Sequence, residues 1–158
     1  MKVESSAFTD NGLIPRKYTG FGEDCSPDLI ITDLPEGTES LAVTLVDLDV
    51  PFCKIFTHWT AWNIPSTGFI PEGLPWGANI ASPVHACQGT AWGRNQYRGP
   101  KQPFFIRNEH RYVFTVYALN CFLDISGKAD RKMLMTAMEG HVLAKADIVG
   151  KYKRSRED

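Results

Sequence analysis

What most constrains the fold is punctuation. Ten prolines and thirteen glycines fall mostly between short apolar runs, as in Leu34-Pro35-Glu36-Gly37, Ile64-Pro65, Pro71-Glu72-Gly73, Leu74-Pro75 and Gly99-Pro100. Proline removes a backbone donor and glycine loosens the backbone, so neither carries a long helix. A chain of 158 residues interrupted this often is built of short strands joined by turns. At that length it can bury about two-thirds of its extended surface, enough for one domain spanning residues 1–158.

The clearest strand is Arg111 to Leu119. Tyr112, Phe114, Val116 and Ala118 share one face of it, and Arg111, Val113, Thr115 and Tyr117 the other. Ser40 to Val46 reads SLAVTLV, a nearly unbroken apolar run that suits a central strand buried on both faces. His58 to Ile64 is a third strand, ended by Pro65, and Lys2 to Phe8 a weaker one. A helix begins at Asp130, a plausible N-cap, with Leu134, Ala137 and Met138 as its apolar stripe. Gly140 ends it, because glycine costs a continuing helix about 1 kcal/mol relative to alanine. Beyond it, Val142, Ala146 and Val149 would continue a helical stripe while Ala144, Ala146, Ile148 and Tyr152 alternate as in a strand; the strand is preferred, and the closing KYKRSRED is expected to be a solvated, frayed end.

Charge narrows the partners. Seventeen basic residues against eighteen acidic ones leave a net charge of −1, which provides no field for nucleic acid or an anionic surface. The N-terminus lacks a signal-type apolar run, and no stretch approaches the ~18 apolar residues of a membrane-spanning helix. Cys25, Cys53, Cys87 and Cys121 are far apart with no CxxC, so four free thiols in the cytoplasm are expected.

Three segments combine ionisable residues with tight turns. Asp47-Leu48-Asp49-Val50-Pro51 follows the buried run, and strand alternation sends Asp47 and Asp49 to one side, where two carboxylates would repel and raise one pKa unless a cation or hydrogen-bond donors intervene. Thr57-His58-Trp59 heads another strand. Tyr97-Arg98-Gly99-Pro100-Lys101-Gln102-Pro103 is a loop offering bare amides, and His110-Arg111-Tyr112 opens the clearest strand. Each segment also has a bland meaning, as a solvated turn or a packed histidine. Asp47, Asp49, His58 and His110 are acceptable metal ligands, but no HxH, HExxH or DxH pair is present. Neither GxSxG, Walker A nor GxGxxG occurs, so the expectation is no enzyme, no cofactor and no metal.

Taken in order, the blocks Ser26-Pro27-Asp28-Leu29, LPEGTESLAV, DLDVP, HWTAWNIP, QYRGPKQP, HRYVF and AMEGHVLAKADIVGKY span nearly the whole chain. This series resembles the phosphatidylethanolamine-binding protein family, also called the Raf-kinase-inhibitor-like proteins, and within it the short bacterial and archaeal branch. The resemblance implies a mainly β, antiparallel Greek-key sandwich with one or two helices near the C-terminus. It also implies one small anion pocket, walled by Asp47, Asp49, Pro51, His58, Gly99, Pro100, His110 and Tyr112.

From the resemblance, the expected ligand is a small phosphorylated or carboxylated molecule such as a phosphoethanolamine headgroup, and the expected role regulatory. Alternatives are inhibition of a kinase or protease through protein contact, and more remotely a metal-dependent hydrolase. Pairing into a homodimer is expected by analogy with bacterial relatives. Four departures bear on ligand preference: Leu48 and Val50 stand where the family has proline and alanine, Gln102 replaces a proline, and Lys101 adds a charge. Ile31-Thr32 and the stretch Ala91-Trp92-Gly93-Arg94-Asn95 also differ from the family pattern.

Overall fold

The computed structural model describes residues 1–158. Its strands are β1 (Lys2–Glu4), β2 (Gly12–Leu13), β3 (Leu29–Thr32), β4 (Ser40–Asp47), β5 (Phe56–Pro65), β6 (Phe69–Ile70), β7 (Asn79–Ile80), β8 (Ala86–Gln88), β9 (His110–Leu119) and β10 (Val142–Tyr152). One helix, α1 (Arg131–Met138), precedes β10, and a short 3-10 turn covers Arg16–Tyr18.

Seven strands form one sheet in the order β2-β10-β9-β4-β5-β8-β7, and β1, β3 and β6 form a second. Every pairing is antiparallel except β2 with β10. Strands β4, β5 and β8 lie side by side while β9 returns by a long connection to flank β4, which is the Greek-key order. The expected mainly β sandwich is therefore the one observed, with its helix near the C-terminus.

Burial explains the sequence of β4, which is buried at every position. Leu41, Val43 and Leu45 pack with Val3, Leu29, Ile31 and Ile70 of the small sheet. Ala42 packs on the opposite side with Trp62, Tyr117 and, from α1, Leu134 and Met138. A strand between two apolar layers has no polar face to alternate with. In β9 the expected split holds: Tyr112, Phe114, Val116 and Ala118 join the first cluster and Tyr117 the second.

Asp130 caps α1 by accepting from the Met133 N–H at 2.9 Å. The helix stops before Gly140, whose φ of 78° lies in the left-handed region.

Two expectations fail here. The first strand ends at Glu4 rather than Phe8, because the buried Asp28 carboxylate draws in the next turn, accepting from Ser6 N–H at 3.2 Å and Ser6 Oγ at 2.7 Å. The tail is not frayed. Asp158 accepts from Tyr152 Oη at 2.6 Å, Ser155 N–H at 3.0 Å and Arg16 Nε at 2.9 Å. Burial opposes its ionisation, but these donors outweigh burial and bring its pKa down to about 2.

Candidate functional site

The site is built where three neighbouring strands end together. In an antiparallel sheet the C-terminal end of β4 lies beside the N-terminal ends of β5 and β9, and Asp47 is directly opposite both Phe56 and Tyr112. Asp47 continues the inward series Leu41, Val43, Leu45, while His110 begins the inward series Tyr112, Phe114, Val116. A carboxylate, an imidazole and a phenol thus meet at the end of the sandwich interior.

His58 reaches the same place through an irregularity. Thr57 pairs with Val46 and Trp59 with Leu45, so His58 is the extra residue of a β-bulge. In an unbroken strand His58 would face away from Trp59, which is a core residue. The bulge turns it inward, 5.4 Å from the Tyr112 ring between centroids. The His110 ring lies 6.3 Å from that same ring, so the two imidazoles are separated by no more than those two distances together.

Together they line a cavity of about 240 Å³. Asp47, His58, His110 and Tyr112 form its polar wall. Val50, Phe56, Trp92, Pro103 and Ile106 form its apolar wall, and Lys101 and Gln102 also contribute. The space is small for a drug-like molecule and suits a headgroup or an oxyanion.

The polar wall is preorganised. His110 donates from Nδ1 to Asp47 Oδ2 at 2.7 Å, and both side chains are almost completely buried. Its Nε2 is buried without a partner. The other Asp47 oxygen accepts from the Asp49 N–H at 2.8 Å, a local turn in which an aspartate bonds the backbone two residues on. Burial, and then the nearby Asp47 charge, push the Tyr112 phenol far up, so it remains protonated.

His58 Nδ1 lies 2.8 Å from the Arg98 carbonyl oxygen, which can only accept. That nitrogen therefore carries the proton. Burial lowers the His58 pKa, outweighing the Arg98 carbonyl and the Asp47 charge, which favour the imidazolium. Trp92, whose φ is 53°, stands 5.1 Å from the His58 ring, with the Arg98 guanidinium 4.6 Å over the indole on its own account.

Four of the residues expected at the pocket do not line the cavity. Asp49 turns outward, because the Asp47 turn ends the strand. Its carboxylate takes the Arg111 N–H at 2.7 Å, Nε at 3.0 Å and Nη2 at 2.9 Å. Arg111 holds the Asp49 pKa below the usual carboxylate range, and so is the cation whose intervention removes the expected rise. Pro51 is exposed. Gly99 and Pro100 are buried behind the wall. The Gly99 N–H is not free for an anion, since it donates to Asp24 Oδ1 at 2.7 Å, and the Pro100 carbonyl accepts from the Gly20 N–H at 2.9 Å.

Sequence reasoning missed Phe56, Ile106 and Asp24, and treated Trp92 only as a variable position. Trp92-Gly93 is a turn signal, but nothing local marks Asp24, which is 75 residues from its partner.

Comparison with known proteins identifies the family and the fold. Residues 4–153 match the family model for phosphatidylethanolamine-binding protein. A UPF0098 protein of Pyrococcus horikoshii is 44% identical over 151 residues, covering 95% of this chain and 75% of the relative. The crystal structure of a phosphatidylethanolamine-binding protein homolog from Chlamydia trachomatis superposes with a TM-score of 0.85 at 30% identity, covering 98% of this chain and 97% of that one. Escherichia coli YbcL, described as a member of the mammalian family, gives a TM-score of 0.84 at 26% identity, with 98% of each chain covered. By sequence along nearly its whole length and by fold, the chain belongs to the phosphatidylethanolamine-binding protein family.

Proposed function

We propose that residues 1–158 act as one domain that binds a small ligand through a phosphate-type or carboxylate group in the cavity between β4, β5 and β9, serving as a binding and regulatory module rather than an enzyme. The observation that carries this reading is His110 Nε2. A buried polar atom without a partner is rare in a folded protein, and this one belongs to a ring on the cavity wall, held by Asp47. As an imidazolium paired with the Asp47 carboxylate, His110 would donate its Nε2–H to a bound oxyanion, with the Tyr112 hydroxyl as a second donor and Lys101 supplying positive charge.

The two carboxylates act as positioning groups. Asp47 is committed to His110 and Asp49 to Arg111, so neither is free to act as a general base. Four unpaired thiols fit a reducing compartment, and the reading places the protein in the cytoplasm.

The test is calorimetric titration with inorganic phosphate and with phosphoethanolamine, against the protein and its His110→Phe variant. Saturable binding that the variant loses supports the reading. Binding that survives in the variant, or no binding of either probe, rejects it.

A further inference from the structure

The hydrogen-bond roles inside the cavity constrain the ligand further, on the basis of the function proposed above. His58 Nδ1 is spent on the Arg98 carbonyl at 2.8 Å. A buried neutral imidazole with its proton on Nδ1 presents a lone pair at Nε2. An oxyanion with no proton places a second lone pair against it. One that still carries a hydrogen donates it there and remains negative toward Tyr112 and Lys101.

The Arg98 carbonyl is itself held from outside the cavity. Asp24, at a left-handed φ of 54°, receives the Gly99 N–H, and the Gly20 N–H reaches the Pro100 carbonyl. A Cβ on Gly99 would strike the Tyr18 carbonyl oxygen, so the two segments are in direct contact. Asp24 itself is not part of the cavity wall.

We infer that the cavity selects oxyanions that retain a proton, such as hydrogen phosphate or a phosphate monoester, over aprotic ones, and that Asp24 is the positioning residue that fixes the His58 acceptor by anchoring Gly99 and the Arg98 carbonyl.

The charged and titratable groups facing His58 are Asp47, His110, Tyr112, Lys101 and Arg98. They respond to ligand charge rather than to a ligand hydrogen, so the probes are compared at one pH and bracket the charge of methyl phosphate, dimethyl phosphate being a monoanion and sulfate a dianion. Methyl phosphate, dimethyl phosphate and sulfate are titrated at about pH 6.5, where a monoester is partly protonated.

The fraction of methyl phosphate that carries a hydrogen is expected to bind at least about fivefold more tightly than sulfate or dimethyl phosphate, the least that one mismatched buried hydrogen bond costs. Equal affinities overturn the inference while leaving an anion site in place. No binding of any probe rejects the site reading itself and the ligand class with it. Independently of ligand, nitrogen NMR of the free protein is expected to show His58 protonated at Nδ1 and bare at Nε2 at neutral pH. The opposite tautomer, or an imidazolium, overturns the inference. Asp24→Ala is expected to mix the tautomers and narrow the discrimination, whereas Asp24→Asn, which still offers an oxygen to Gly99, restores both. Ala and Asn variants that both keep the wild-type tautomer and ratio would remove Asp24 from the account.

Discussion

Replacing Asp47 with alanine tests whether the polar wall is held as described. The substitution removes the acceptor of two donors, His110 Nδ1 and the Asp49 N–H. His110 is 1% exposed and its Nε2 already lacks a partner, so the whole imidazole becomes an unsatisfied polar group in the interior. Each buried donor stranded in this way costs about 1–3 kcal/mol, which gives roughly 3–5 kcal/mol for the pair. With a urea slope of about 2 kcal/mol per molar, the unfolding midpoint drops by about 2 M. Asp49→Ala is the control. It breaks three hydrogen bonds to Arg111, more than Asp47→Ala breaks, but that guanidinium returns to water, so the expected loss is about 1 kcal/mol or less. Equilibrium unfolding followed by tryptophan fluorescence measures both. A midpoint for Asp47→Ala within about 0.5 M of wild type, or an Asp49→Ala variant that loses more, would refute the reasoning.

Three further outcomes are expected. The folded-state pKa of His58 is depressed, so the unfolded chain takes up the proton first and stability falls as pH drops below about 6.5; His58→Gln should flatten that slope in unfolding measured between about pH 7 and 5, and an unchanged slope assigns it elsewhere. Asp158 has a depressed pKa near 2, so its contribution is complete above the unfolded value and lost as pH falls toward 2; Asp158→Asn should therefore lower the thermal midpoint at neutral pH and converge on wild type in acid, and a difference that persists in acid would contradict this. Gly99→Ala forces a methyl group against the Tyr18 carbonyl oxygen and should cost about 3 kcal/mol in urea unfolding, whereas a variant as stable as wild type would mean that the two segments separate readily.

Much of this architecture was legible because β4 and β9 state their environments locally. SLAVTLV has no polar face because it lies between two apolar layers, and the alternation in β9 matches its two clusters. Tyr112 was legible for the same reason, whereas Asp47 and His110 stood out as ionisable residues at strand ends, and their inward direction came from the strands they extend. His58 was singled out as a residue, but its direction was not readable, since a bulge is a property of two strands in register. The divergence of Asp49 from Asp47 depends on Arg111, more than sixty residues away, and strand alternation alone predicted the opposite. The tail failed for a related reason: KYKRSRED looks solvated until Arg16 and Tyr152 are placed beside Asp158. In each case the missing information was a contact between distant segments.

The folded-back tail also sets an order of assembly during synthesis. Gln102 stands on the cavity wall, and its side-chain oxygen receives the Arg154 N–H at 2.7 Å while its carbonyl receives Arg154 Nη1 at 3.0 Å. A nascent chain can bring β4, β5 and β9 together, and with them both imidazoles, well before residue 154 emerges from the ribosome. Until it does, the Lys101–Pro103 wall is held only by nearer contacts such as Gln102 Nε2 to the Asn108 carbonyl at 3.0 Å. Because the N-terminal parts of a protein are made first, the groups that would grip a ligand are in place before the wall beside them is closed. A released chain truncated just before Arg154 should hold a formed sheet with an open-sided cavity, which protease sensitivity at residues 101–106 would report.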